Sequence, residues 1–328
     1  MSFYKKLCVS AVAVFVAIGF VTAGSLYADD ASAVISSYDG KVLVKTVDSD
    51  KWVEIKRSDV KLGSGDSIKT ENGTADIVYP DGSILKIKDH SVTTITDLKD
   101  ESSGQVTRRI KLFVGDMWAK ITPGTSTKTE FVTPSAVAAV KGTTVSLSVL
   151  ADGTVQILTE EGLVLVELGA GDSRPNVSLG DGDSIQVSVD ANGNVSIEGL
   201  SGDVDVVMAN GTTIAINPTN AVETDATGST IAVTKGSVVV TSSGRYSETH
   251  TFEAGMTVTI DDSGSMKAAL PSQLPPVRNA AAQAAQNAQK KTGGGDANQP
   301  DPSQTNNSLN FLNKKQIQEI LEDSPSNP

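Results

Sequence analysis

Ala75-Asp76-Ile77-Val78-Tyr79-Pro80-Asp81-Gly82-Ser83-Ile84-Leu85-Lys86-Ile87 reads as strand, turn, strand. The first run is rich in β-branched and aromatic residues and stops at Pro80. Asp81-Gly82-Ser83 then reverses the chain, and Ile84, Leu85 and Ile87 resume it with Lys86 and Lys88 alternating outward. The same grammar fills residues 34–262. Val42-Leu43-Val44 precedes a turn at Asp48–Asp50, and Trp52, Val53 and Ile55 follow it. Asp-Gly or Asn-Gly pairs fall at 39–40, 72–73, 81–82, 152–153, 181–182, 192–193 and 210–211. Such pairs supply the positive φ of tight turns. The Ala-rich 135–140 patch is too short to assign. A sandwich or barrel and a solenoid both fit short strands around a narrow aliphatic core. The imperfectly repeated phrases Glu161-Gly162-Leu163-Val164-Leu165-Val166 and Lys235-Gly236-Ser237-Val238-Val239-Val240 favour the solenoid, whose coils pack mainly on their neighbours. The fold expected is all-β: an elongated right-handed β-solenoid or β-helix-like body with a mostly disordered C-terminal tail.

Composition narrows the chemistry. Aromatics are 4% of 328 residues and the formal net charge is −12, so a phosphate-clamping nucleic-acid interface is disfavoured. One cysteine, Cys8, excludes an intramolecular disulfide and a cysteine-based zinc or iron–sulfur site. The charge is uneven: 41–149 carry 16 basic and 14 acidic side chains, and 150–270 carry 4 and 17. The acidic half reads either as a solvated surface or as a face for a basic partner.

Both ends differ from the middle. Lys5 and Lys6, the apolar run Leu7–Phe20, and small residues at 21–23 and 27–28 read as an export signal spanning 1–28. The run is short of the ~20 residues that cross a bilayer. Its removal leaves no membrane-spanning segment and takes the formal charge to −14, because two lysines leave with it. The expected destination is the periplasm, or secretion to the cell surface. After Pro271 the chain reads as a disordered linker over 271–307. Residues 308–322 follow as a short amphipathic helix with a stripe of Leu309, Leu312, Ile317, Ile320 and Leu321.

Several spaced phrases carry a family resemblance. Trp52-Val53-Glu54-Ile55 leads to Leu62-Gly63-Ser64-Gly65-Asp66-Ser67-Ile68-Lys69-Thr70, then Gly73-Thr74-Ala75 and Asp81-Gly82-Ser83-Ile84-Leu85-Lys86-Ile87. Gly115-Asp116-Met117-Trp118-Ala119 follows, then Phe131-Val132-Thr133-Pro134-Ser135-Ala136-Val137-Ala138-Ala139-Val140-Lys141-Gly142-Thr143 and Glu161-Gly162. In this order they resemble the FecR domain family over about residues 40–168. The resemblance implies a FecR-like β domain at 34–168, with 169–262 continuing the body. It also implies an envelope sensory and interaction module. In iron-uptake regulators such a domain receives a signal from an outer-membrane transporter and controls a cytoplasmic sigma factor, and a related regulator's outer part is a right-handed β-solenoid. This chain departs from that pattern, with only Met1 to Lys6 before the apolar run, so the sigma-binding role does not carry over.

No chemical site stands out. His90 and His250, the only histidines, read as loop and exposed-strand residues without a nucleophile or orienter. No nucleophile elbow or phosphate loop is present. Asp181, Asp183 and Asp190 resemble the ligand-rich part of a calcium loop, but the terminal Glu of such a loop is missing and paired β-turns are the stronger reading. Asp66, Asp81 and Asp116 read as turn caps. Alternation places Trp52 and Trp118 in the core. Catalytic, cofactor-binding and metal residues are therefore assigned to none. The expected function is a non-enzymatic exported scaffold or signalling module whose partner is another envelope or surface protein. A carbohydrate or matrix binder is the main rival, and a polysaccharide-acting β-helix enzyme the third reading.

Overall fold

The computed structural model describes residues 32–169 and 174–270. The expected signal at 1–28, linker at 271–307 and helix at 308–322 lie outside the described residues. The described residues form strands joined by turns, bends and irregular stretches, with no helix, so the all-β expectation holds.

The N-terminal region begins with β1 (Ala33–Lys45), β2 (Val53–Glu54), β3 (Val60–Leu62) and β4 (Ser67–Val78). β5 (Ile84–Ile87), β6 (Val92–Lys99) and β7 (Val106–Lys120) follow. The opening pair of strands is confirmed: residues 75–78 of β4 face β5 in antiparallel register. β4 and β7 are long enough to bend between partners. Residues 67–69 of β4 pair with β6, whereas 75–78 pair with β5; β7 pairs with β6 over 106–114 and with β5 over 117–120. β4, β5, β7 and β6 therefore close on one another as a small barrel. The bends need glycine. A side chain on Gly115 (φ 96°) would place its Cβ 2.5 Å from the Ser91 Cα.

From β8 (Lys128–Val132) onward the chain alternates hairpin by hairpin between two ladders. The first ladder continues from β7 through β10 (Thr144–Val149), β11 (Val155–Glu161), β14 (Ser184–Val189), β15 (Val195–Ser201), β18 (Ala221–Thr224), β19 (Thr230–Lys235), β22 (Thr257–Ile260) and β23 (Met266–Ala269). The second runs through β8, β9 (Ala136–Val140), β12 (Val164–Leu168), β13 (Asn176–Leu179), β16 (Val204–Val207), β17 (Thr213–Ile216), β20 (Ser237–Thr241) and β21 (Thr249–Glu253). Alternate residues point inward from both ladders, and their Val, Ile and Leu side chains form one core with few aromatics. The unassigned Ala patch is β9. Its small side chains fit between β8 and β12.

This path differs from a right-handed β-helix, whose coils stack parallel strands. Among the described residues only β7 with β8 is parallel; every other ladder is antiparallel. The cause is in the turns. Asp152-Gly153, Asn192-Gly193 and Asn210-Gly211 reverse the chain into hairpins instead of letting it wind onward.

The crossings between ladders repeat. Gly162, Gly202 and Gly236 each turn the chain from the first ladder to the second at φ 95°, 78° and 65°. Each is preceded by a bulge: Thr144 to Val145 against Glu161 to Thr159, Ser184 to Ile185 against Ser201 to Gly199, and Ala221 to Val222 against Lys235 to Val233. The extra residue re-aims the strand before the glycine turns it. Return crossings lie at 180–183, 217–220 and 254–256. They hydrogen-bond to the outgoing ones: Gly182 N donates to Thr159 O at 2.8 Å and Ala254 N to Gly236 O at 2.8 Å. On the opposite edge the hairpin tips of the two ladders meet. Ser135 Oγ donates to Gly153 O at 2.6 Å, and Ser242 Oγ donates to Gly264 O at 2.6 Å.

Candidate interaction face

Two features of the small barrel's neighbourhood stand apart from aliphatic packing. The first is a buried charge. Arg108, at the start of β7, is 5% exposed. Its Nη1 donates to Asp81 Oδ2 at 2.9 Å, its Nε lies 3.7 Å from Asp97 Oδ1, and its guanidinium stacks 3.6 Å from the Tyr79 ring centroid. Asp81 Oδ1 meanwhile accepts from Ser83 N at 2.9 Å. Burial alone would raise the Asp81 carboxyl, but the Ser83 amide and Arg108 outweigh it and hold the group below the usual range. Tyr79 is pushed strongly upward, first by burial, and its hydroxyl has no hydrogen-bond partner. The cluster ties the β4–β5 turn to the β6–β7 side of the barrel, so its role is closure. Beside it, Glu130 is held low against burial by Lys128 and Arg109.

The second feature is on the outer face of the first ladder. Alternation in β7 buries Met117 and Ala119 and turns Trp118 outward, half-buried. The expected core placement of the tryptophans is thereby corrected: Trp52 is also half-buried, with Lys45 Nζ 5.3 Å from its ring centroid. The core is filled by slim aliphatic side chains and the indoles are left on the surface. Trp118 is held in place. Its Nε1 donates to Glu160 Oε2 at 3.0 Å, Ser146 Oγ donates to Glu160 Oε1 at 2.7 Å, and Lys86 Nζ lies 5.7 Å from the ring centroid. Lys86, Trp118 and Ser146 are direct cross-strand neighbours on β5, β7 and β10. The result is an aromatic and charged patch on a rigid sheet. Arranged this way it can offer stacking area, a cation and a carboxylate to another surface.

The sequence-assigned positions divide clearly. Asp66 is a turn cap, with Oδ2 accepting from Gly63 N at 2.8 Å and Oδ1 from Val47 N at 3.0 Å. Asp81 caps its turn and also clasps Arg108. Asp116 is no cap: it sits within β7, where its carbonyl accepts from Lys88 N. Asp181 and Asp183 accept from Gly162 N at 2.6 Å and Gly180 N at 2.8 Å, whereas Asp190 caps the far hairpin tip through Asn192 N and Asn194 N. The three aspartates are thus engaged at opposite ends of β14. No group of three or more His, Cys, Asp or Glu side chains among the described residues is placed to hold a metal ion. His90 sits at φ 53° beside Asp89, and His250 is exposed. Gly142 has φ 68°, and a Cβ there would lie 2.6 Å from Pro123 Cβ, as its turn position implies.

The family model described as FecR protein matches residues 66–165, which include both features and the first crossing at Gly162. The chain carries a FecR domain. No curated protein matches it. Among solved structures, a candidate anti-sigma factor from Parabacteroides distasonis ATCC 8503 is 15% identical with a TM-score of 0.33. That likeness covers 40% of this chain and 59% of that one; in a second structure of the same protein, at 2.50 Å resolution, it covers 57%. The TCP10 domain of Danio rerio CPAP, solved with a STIL peptide, is 15% identical with a TM-score of 0.13, covering 63% of this chain and 94% of that one. The chain therefore spans under two thirds of the first of these proteins. Outside the FecR match, residues 174–270 continue both ladders without a break in the shared core.

Proposed function

We propose that this chain is an exported, non-enzymatic FecR-domain protein that binds another envelope protein in a signalling or regulatory role. The observation that carries the reading is the Trp118 patch. In a protein this poor in aromatics, the FecR domain spends one of two tryptophans on its surface and fixes it with Glu160, Ser146 and Lys86. Ordered surface tryptophans are the typical anchors of protein interfaces. Export is supported by the basic, apolar and small-residue order of 1–28, and the destination is the periplasm or the cell surface. Among the described residues no helix is long and apolar enough to cross a membrane. The acidic residues of 150–270 would steer a basic partner, chiefly through its association rate.

The test is affinity capture from native envelope fractions with the full chain and with Trp118→Ala. Recovery of a protein by the first and its loss with the second supports the reading. Saturable glycan binding with no protein recovered would replace it with the carbohydrate-binding alternative.

A further inference from the structure

The two ends of the ladders are finished differently. At the first end, β1 turns Ala33, Ile35, Val42 and Val44 inward. All are buried beneath the short β3 and the Ile55 segment. At the last end, β21 and β23 each have one partner, β20 and β22. Residues directly opposite in a ladder share a face. His250 lies opposite fully buried Val240, so it points toward the core side, yet its side chain is 54% exposed. Ala268 lies opposite fully buried Val258 and is likewise exposed; Met266, opposite Ile260, is half-buried. Phe252, with its ring centroid 6.1 Å from that of His250, completes this mouth, and exposed Leu270 follows two residues after Ala268. Stacked repeats need a cap that covers the last inward face, and β21 and β23 do not supply it.

We propose that the chain's own segment 308–322 covers this end, laying Leu309, Leu312, Ile317, Ile320 and Leu321 over Phe252, Met266 and Ala268. The connection favours it. The chain leaves β23 at Leu270, at the open end itself, and the stretch to Ser308 has an extended reach of roughly 125 Å. A tethered segment docks as an intramolecular event and needs less contact area than a free partner. Charge permits it. The strands and turns of this end carry Glu248, Glu253, Asp261 and Asp262 against Arg245 and Lys267, whereas the segment is formally neutral, with Lys314 and Lys315 balanced by Glu319 and Glu322. A second copy of this acidic chain would instead bring two net-negative ends together. Such a cap would leave the Trp118 patch untouched, so this inference stands apart from the proposed binding role.

The experiment uses the purified full chain. In a Cys8→Ser background, Ala268→Cys with Ile317→Cys is oxidised and sized. An intramolecular disulfide in a monomer is expected. A disulfide-linked dimer assigns the end to a second copy, and absence of any disulfide leaves it uncovered; either overturns the proposal. Hydrogen exchange of the wild-type chain against Ile317→Asp/Ile320→Asp gives an independent reading. At least a tenfold rise in rate over 249–253 and 266–270, with 155–161 unchanged, is expected. Equal rates in both proteins would overturn the proposal.

Discussion

The barrel region before β8 and the repeating region after β9 enclose the same kind of aliphatic core by different means. In the first, long strands β4 and β7 bend at glycines, and the edge is held by one buried side-chain cluster around Arg108. In the second, the edge is backbone: a bulge, a positive-φ glycine and a return crossing, used three times. A closure made of few long-range parts fails as a unit. A closure made of local repeats fails piecemeal, because each unit depends mainly on its neighbours.

The largest expected contrast is between glycines. Gly115→Val combines a positive φ with a backbone clash against Ser91 and should cost roughly 3–4 kcal/mol. Its melting temperature should fall about 10 °C. Gly202→Ala meets chiefly the Asp183 carboxylate, a side chain that can move only by loosening its cap on Gly180 N, and should cost about 1–2 kcal/mol. Hydrogen exchange should show the Gly202 loss confined to β14–β18 and the Gly115 loss spread across the barrel. Equal, global effects would erase the contrast.

Next comes the clasp. Arg108→Met leaves Asp81 partly buried without its cation and should destabilise by about 2–3 kcal/mol, below the ~3–5 kcal/mol of breaking a fully buried pair because Asp81 retains some solvent. Asp81→Asn/Arg108→Met should recover part of that loss in a double-mutant cycle. Additive effects would show that the pair does not act as a unit.

Acid should find the same edge. Asp81 and Glu130 have folded pKa values below their ordinary ones. Their contribution is therefore present above the unfolded values, near ~4, and is lost as pH falls through the folded values. Protection of amides at 79–83 and 106–110 should weaken below about pH 4 before that at 195–201. Simultaneous loss would mean that the clasp does not govern the barrel's acid response.

The smallest stability effect belongs to Trp118→Ala, on the outer face: within about 1 kcal/mol, while partner affinity drops roughly tenfold or more. A large drop in melting temperature would make Trp118 a packing residue instead.

Much of this was legible in the residues. The β4–β5 hairpin and the turn caps at Asp66 and Asp81 follow from local turn chemistry, and the repeated phrases at 161–166 and 235–240, read only as a sign of repetition, mark two of the crossings. The third crossing, Ser201-Gly202-Asp203-Val204, was hidden because its flanks share only the glycine and the inward valine with the others. A further signal lay unread: Leu62-Gly63-Ser64-Gly65-Asp66-Ser67-Ile68 and Leu179-Gly180-Asp181-Gly182-Asp183-Ser184-Ile185 are nearly the same phrase, and each folds into the same aspartate-capped turn. Hairpin alternation between ladders was not legible, because strand periodicity gives inward and outward faces but not which strand is the neighbour. The tryptophans misled for a related reason: a large apolar side chain within an alternating strand does not say which face is the core. Arg108 gave no local signal, since Asp81 is distant in sequence and the pair exists only once the barrel closes.

The proposed binding role of the Trp118 patch is tested most directly by site-specific photocrosslinking in intact cells of the source organism. A photoreactive residue is placed at Ser146, beside Trp118, and at Thr259 on β22 as a control. One discrete envelope-protein adduct at Ser146, absent at Thr259 and lost with Trp118→Ala, is the expected result. No adduct at Ser146, or the same adduct from both positions, would contradict the assignment of the Trp118 patch as the contact surface.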